Sequence, residues 1–481
     1  MSKNISKQAG SISRRNFVTA TGTLAAGIML AHPASNLFAR GGVQNLKKKV
    51  ALVGTGIRGI KTWGKFLTGN YSDVVEYVGL CDINPGRVEY AKNFLGLDCK
   101  TFTSFDDMIS SANIDLLIVT TVDATHDEFI IKGLNKGINV VTEKPMTTDE
   151  KKCQAIIEAD KNSSAKLIMG FNYRYGHLFT KLKELLLEDH IGKLTSVDFN
   201  WYLNTYHGAS YFRRWHGERD KSGTLLLHKS SHHFDLLNWW IGSDPVEVHA
   251  FGGLEKYGKN NAFRGKRCMT CDHQDSCQFF WDMREDKNLM KLYYENEKYD
   301  NYIRDNCLWR NEIDIFDKMA VQIKYANNVQ VSYSLSAYSP YEGFRIAFNG
   351  LNGRLETWEG IPSMESIQED QSQLHEKEMS QNSHTMAGLK FHEIIMQKNF
   401  KDYKRIEFPY IRSGHWGGDK LMFDAIYRNQ IIDPDLHHAA NVRDGSMAVL
   451  IGIAARKSID EDRAIKIADL TSLVPRENKW I

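Results

Sequence analysis

The stretch Lys49-Val50-Ala51-Leu52-Val53-Gly54-Thr55-Gly56-Ile57-Arg58-Gly59 decides the fold of this 481-residue chain. Its first five residues form a compact apolar run, the next six a glycine turn, and residues 60–67 continue as an amphipathic segment, so the reading is strand, turn, helix. In such a turn the first glycine permits a sharp reversal, the second lets a pyrophosphate approach backbone amides, and the third lets the helix lie close to the strand. The helix start then faces the phosphates. A glycine pattern alone is weak, and its surroundings carry the rest. A second apolar run, 75–80, ends in Cys81-Asp82, which puts Asp82 23 residues beyond Gly59, where an acid meets the ribose 2′-hydroxyl of NAD. Arg87 stands near enough to meet the 2′-phosphate of NADP, so NAD is the first expectation and NADP the second. Runs at 115–121 and 139–142, separated by a helical pattern over 125–136, continue the alternation of a parallel sheet with crossover helices. Residues 46–170 are therefore expected to form a dinucleotide-binding Rossmann domain.

Length and composition leave room for a second domain. Lys and Arg number 61 against 59 Asp and Glu, a formal charge of +2, which creates no strong field and implies neither nucleic acid nor an anionic membrane as partner. The segment Ser13-Arg14-Arg15-Asn16-Phe17, followed by a weakly apolar run at 18–30 and by Ala34-Ser35 and Phe38-Ala39, reads as a twin-arginine export signal over residues 1–39. That run is too short to span a bilayer. The mature chain is expected in the periplasm, exported folded by the twin-arginine machinery and carrying no membrane span.

Directly after the run at 139–142 come Glu143-Lys144-Pro145, then Gly170-Phe171-Asn172-Tyr173-Arg174, then a helix-like segment over 225–241 with a histidine cluster. Together with the glycine turn these resemble the signatures of the Gfo/Idh/MocA oxidoreductases over nearly the whole mature chain. The resemblance implies a Rossmann domain followed by an α/β domain, here 171–481, whose open, mainly antiparallel sheet covers the active site and mediates oligomerisation. Strand-like runs at 194–202, 246–251, 319–325, 329–335 and 344–348 agree with such a sheet, and helical patterns at 419–427 and 442–457 are expected to return to the first domain.

By position the resemblance implies that Gly54, Gly56, Ile57, Arg58, Gly59, Asp82, Arg87, Thr120, Thr121, Asp123, His126, Glu143, Lys144 and Asn172 line a tightly bound dinucleotide. Lys144 falls between cofactor and substrate, where a cation stabilises the alkoxide that develops as a carbinol gives up hydride. Members of the family carry an aspartate and, four residues on, a histidine that acts as general base. Here His232 stands at the histidine position and His228 at that of the aspartate, a departure from the pattern. Arg174, Tyr211, Arg213, Trp215, His233 and His415 are the expected substrate contacts: aromatic rings stack on sugar faces while arginine and histidine donors read hydroxyls.

Within the insertion at 256–312, Cys268, Cys271, Cys277 and Cys307 have metal-like spacing. A structural zinc or other four-thiolate metal site, two disulfides, or free thiols are all open. Residues 361–385, rich in Glu, Gln and Ser, read as a solvated excursion. The expected activity is NAD(P)-dependent oxidation of a ring carbinol of a sugar, glycoside or polyol. A nucleotide-retaining glycosidase or lyase working by transient oxidation and elimination would use the same residues, and a nucleotide-loaded sensor without catalysis is the non-enzymatic alternative.

Overall fold

The computed structural model describes residues 47–360, 391–409 and 417–480. The export signal at 1–39, the excursion at 361–385 and His415 lie outside the described residues.

Six parallel strands form the first sheet: β1 (Lys48–Val53), β2 (Val75–Cys81), β3 (Lys100–Phe102), β4 (Leu116–Val119), β5 (Asn139–Thr142) and β6 (Leu167–Met169). Their order is β3-β2-β1-β4-β5-β6, the doubly wound arrangement whose crevice opens where β1 and β4 part. The central strands are buried on both faces, which is why they read as continuous apolar runs. Gly54 leaves β1 with φ +92°, and a Cβ there would stand 2.6 Å from the Thr120 carbonyl carbon. One on Gly59 would stand 2.3 Å from the Gly54 oxygen. The tight turn therefore excludes side chains at both positions.

The second sheet holds nine strands among the described residues: β7 (Leu194–Asn204), β8 (Pro245–Gly253), β9 (Lys318–Tyr325), β10 (Gln330–Ser339), β11 (Gly343–Gly350), β12 (Gly353–Glu359), β13 (Phe391–Lys398), β14 (Tyr403–Pro409) and β15 (Ile465–Lys466). They run in the order β14-β13-β12-β11-β7-β10-β9-β8-β15, and only the β7–β10 pair is parallel. The five strands expected from sequence are β7 to β11. In β9 every second residue is buried, the alternation of a sheet covered on one face. β14 buries no residue fully, so its apolar signal is too weak to read from sequence.

Because β8 and β9 pair as neighbours, residues 254–317 leave and rejoin the sheet at one end of a hairpin. This is the cysteine-bearing insertion. The helix Gly418–Tyr427 buries Met422, Phe423, Ile426 and Tyr427 in one core with Val50, Leu52 and Trp63. The longer helix Val442–Glu461 starts from a capping box between Asn441 and Asp444 and packs against the helix Ser230–Ile241 and β8. Among the described residues no helix is long and apolar enough to cross a membrane.

The segment 225–241, expected as one helix, is interrupted at Lys229 into helices Leu225–His228 and Ser230–Ile241. Thr224, at φ +90°, starts the first piece and accepts from Leu226 N–H with its hydroxyl.

Candidate active site

The ends of β4 and β5 bring Asp123 and Lys144 to the interrupted helix. Lys144 Nζ donates to the His228 carbonyl at 2.7 Å, and the peptide between Lys144 and Pro145 is cis. His228 Nδ1 lies 2.6 Å from Asp123 Oδ2. Burial pushes the Asp123 carboxyl well up, against the pull of Lys144, and burial together with Lys144 and His216 pushes His228 well below the usual imidazole range. A neutral imidazole fits the lowered His228; where the pull of Lys144 keeps Asp123 ionised, the Nδ1 proton faces the carboxylate and the Nε2 lone pair is left for another proton. Lys144 is lowered to about 8, by burial first, with Asp123 and Glu143 opposing.

Aromatic side chains close round this group. Tyr211 meets His228 edge to face at 5.2 Å, Trp215 does so at 5.6 Å, and Trp215 stacks on His216 at 3.7 Å between ring centres. Tyr211 and Trp215, two of the expected substrate contacts, thus pack round His228. His232 lies flat against Tyr173, 4.1 Å between ring centres and 6° between planes. Lys229, buried at the interruption, hydrogen-bonds Tyr173 Oη at 3.2 Å and lies over the Trp201 ring. Nothing in the sequence pattern singles out this second lysine, because its place depends on where the helix breaks.

The residues expected at the dinucleotide gather at the carboxyl ends of the parallel strands. Asp82 accepts from Thr55 N–H and Oγ1 with one oxygen, and from Asn84 N–H and Arg87 with the other. Arg87 is also paired with Asp300. Glu143 accepts from Arg58 Nε at 2.6 Å and from Trp63 Nε1 at 2.7 Å. Burial alone would raise its pKa; Arg58 and Lys144 outweigh that and hold it low. Thr120 Oγ1 ties down the Gly54 carbonyl at 2.6 Å. His126 lies between the carbonyls of Pro145, 2.7 Å from Nδ1, and Thr121, 3.2 Å from Nε2, and as a neutral imidazole donates to one of them. Asn172 donates to Asp419 at 2.6 Å, while its buried Oδ1 has no hydrogen-bond partner. The glycine cradle, the Asp82 carboxylate and this spare acceptor fit a dinucleotide.

Several expected contacts lie elsewhere. Arg174 is fully buried and forms a two-point pair with Asp235 at 2.8 and 2.5 Å, plus a bridge to Asp444 at 3.1 Å. It holds helices together beneath the site, and its burial leaves no surface for a sugar. His233 is likewise a core residue, its Nδ1 on Tyr333 Oη at 2.7 Å and its ring stacked on Trp201. Arg213 donates to Cys268 Sγ at 2.6 Å and to the Phe279 carbonyl at 2.7 Å, anchoring the insertion. Asp123, expected against the dinucleotide, is engaged by His228.

Cys268, Cys271, Cys277 and Cys307 all line one small apolar cavity with Arg213 and Trp309. None is in a disulfide. Backbone N–H groups of Gly265 and Trp309 point at Cys307 Sγ at 3.5 and 3.4 Å, a donor set that suits thiolates. Among the described residues, however, no three His, Cys, Asp or Glu side chains are placed to hold a metal ion. The described arrangement is four thiols round one cavity rather than a preformed zinc centre.

A doubly wound nucleotide domain whose strand ends present a lysine and a carboxyl-paired histidine, followed by a domain with a mostly antiparallel sheet, defines a dinucleotide-dependent oxidoreductase. Residues 48–171 match the NAD-binding Rossmann domain of the GFO_IDH_MocA oxidoreductase family, and residues 183–467 match its C-terminal alpha/beta domain. The chain belongs to the Gfo/Idh/MocA family. It is 32% identical over 442 residues, 88% of this chain and 98% of the other, to YteT of Bacillus subtilis (strain 168), a protein assigned to the oxidoreductases. An inositol 2-dehydrogenase/D-chiro-inositol 3-dehydrogenase of Lactiplantibacillus plantarum is 25% identical over 44% of this chain and 58% of its own length. Among solved structures, levoglucosan dehydrogenase in complex with NADH and levoglucosan superposes with a TM-score of 0.59 at 14% identity, over 88% of this chain and 99% of that one. An Agrobacterium radiobacter oxidoreductase in complex with NAD+, L-tartaric acid and magnesium gives 0.59 at 12% identity, over 88% and 99%. These two likenesses concern the fold.

Proposed function

We propose that the protein is an NAD-dependent dehydrogenase that oxidises a ring carbinol of a carbohydrate or polyol. The observation that carries this reading is the convergence of Lys144 Nζ and the His228–Asp123 pair at the carboxyl ends of β4 and β5. Relatives that act on inositol support the substrate class.

Bound nicotinamide supplies the hydride acceptor; the chain must remove the hydroxyl proton and steady the oxygen. Lys144, as an ammonium, stands beside the substrate oxygen and stabilises its negative charge. His228 takes the proton on Nε2 while Asp123 stabilises the resulting imidazolium through Nδ1, the orienting role of a carboxylate behind a histidine. We assign the base to His228 because Asp123 stands behind its Nδ1. Tyr211 and Trp215 offer the apolar wall for a sugar face. NAD rather than NADP is the cofactor, since Arg87 is held by Asp82 and Asp300 and has no charge to spare for a 2′-phosphate.

The test is to denature the purified protein, identify released nucleotide, and incubate native protein with a panel of polyols and glycosides while following nicotinamide absorbance and products. Reduced cofactor with a keto product supports the dehydrogenase. Cleavage of a glycoside without net reduction would replace it with a redox-neutral glycosidase or lyase, and nucleotide release with no turnover of any substrate would favour a sensor. We further propose periplasmic export through Arg14 and Arg15; cell fractionation of the double Lys variant should find the precursor retained inside. Assembly as a homo-oligomer through the second sheet, where Phe251 and Trp358 are exposed, is checked by light scattering.

A further inference from the structure

The second half of the cysteine-bearing insertion does not stay with its own sheet. Residues 286–304 cross to the nucleotide edge of the first sheet as helix Lys287–Leu292, a turn at Tyr294–Asn296 and helix Glu297–Asp300. Leu292 and Tyr293 are buried in the same core as Val50, Ile60 and Trp63. Asn84 Nδ2 donates to the Asn296 carbonyl at 2.8 Å, Tyr90 Oη to Asn288 at 3.0 Å, and Arg87 is paired with Asp300. The approach is so close that a Cβ on Gly86 would lie 1.8 Å from Asn296 Oδ1. Arg267 fixes the other side, donating to both oxygens of Glu297 at 2.8 Å and to Asp305.

This strap carries Tyr293 onto the glycine turn, where its hydroxyl accepts from the Ile57 N–H at 2.9 Å. A phenol that accepts one bond still has its own proton to donate. Next to it, the buried Arg304 lies with its guanidinium 5.4 Å over the Tyr293 ring. Arg304 Nε is buried with no hydrogen-bond partner. Arg214 donates to the Ser210 carbonyl, and its pKa is pushed down to about 10 by burial and then by Arg304. A buried guanidinium with an unpartnered nitrogen beside a second arginine is costly to hold in a folded interior unless an anion joins it.

We propose that the strap is a built-in clamp for the dinucleotide: Tyr293 Oη, Arg304 and Arg214 complete the pyrophosphate site begun by the Ile57 amide, and hold the nucleotide through successive turnovers. This rests on the reading that the glycine turn binds NAD. Charge-assisted bonds from a phenol and two guanidinium groups to a diphosphate supply slow release without further contacts to the nicotinamide or adenine. The insertion then belongs to the cofactor rather than to the substrate, and the tie from Arg267 to Glu297 joins the clamp to the cysteine-lined knot.

The experiment uses the full mature protein, with NADH release followed by fluorescence after dilution into excess NAD, and with ADP and adenosine as competing probes. Tyr293→Phe should speed NADH release about tenfold and Arg304→Gln about a hundredfold, with Arg304→Lys between wild type and Gln. Both Phe and Gln variants should weaken ADP, which carries the diphosphate, and leave adenosine unchanged. Far-ultraviolet circular dichroism and unfolding midpoints identify any variant that fails to fold, and Arg304→Lys keeps the charge if Gln does not fold. Wild-type release rates in folded Phe and Gln variants would overturn the clamp. So would tighter binding by Tyr293→Phe, which would make the phenol a plug, or weakened binding of an anionic substrate with NADH unaffected, which would assign the arginines to that substrate's carboxylate. A wild-type protein that binds no dinucleotide would instead bring down the proposed function, and the clamp with it.

Discussion

His228 Nδ1 and Asp123 Oδ2 stand 2.6 Å apart across the boundary between the interrupted helix and the end of β4. Asp123 thereby places a carboxyl group behind His228 from a different element of the fold. Asp123→Asn keeps the shape and removes the charge behind the imidazole. We expect kcat to fall roughly 10²- to 10⁴-fold with NADH affinity within about threefold of wild type, by steady-state kinetics alongside fluorescence titration. A KM effect with kcat preserved would show that Asp123 serves binding instead.

His228 and His232 can be ranked directly. His228→Asn should cost at least about tenfold more in kcat/KM than His232→Asn, because His228 has the oriented Nε2 while His232 lies stacked on Tyr173. The reverse order would return the base to His232.

Lys144 gives the activity its alkaline limit. Burial lowers its pKa to about 8, so the ammonium form is complete below that pH and lost above it. As the cation beside the substrate oxygen it should give kcat/KM a falling limb near pH 8. Lys144→Arg should move that limb above about pH 10 while reducing the rate, since guanidinium stays protonated. A limb that rises through pH 8 would make Lys144 a neutral base.

Arg174 is predicted to matter for folding and not for substrate recognition. Arg174→Met leaves Asp235 and Asp444 buried with less compensation, and should cost about 3–5 kcal/mol of stability in urea unfolding. An Arg174 variant of normal stability with a raised substrate KM would restore it to the binding site.

Cofactor choice follows from the chain Asp82–Arg87–Asp300. NADH should bind at least about tenfold more tightly than NADPH by calorimetry. Asp300→Asn, which frees Arg87 from one acid, should narrow that gap, and an unchanged ratio would place the discrimination elsewhere.

The sequence by itself determined the glycine turn, the parallel strands, Asp82 and the Glu143-Lys144-Pro145 end of β5. Each is set by neighbours within a few residues: a run of buried β-branched side chains, a turn that only glycine can make, an acid at fixed distance. The tertiary structure decided which charged and aromatic residues meet. Arg174 and Arg213 look like sugar ligands beside their aromatic neighbours, but burial gives the first to Asp235 and Asp444 and the second to Cys268. His228 finds Asp123 105 positions away, and Tyr293 reaches the Ile57 amide across 236. Such partners are fixed by where strand ends, a helix break and a returning insertion bring side chains together. Local periodicity reports which face of an element is buried, and carries no record of what that face will be buried against.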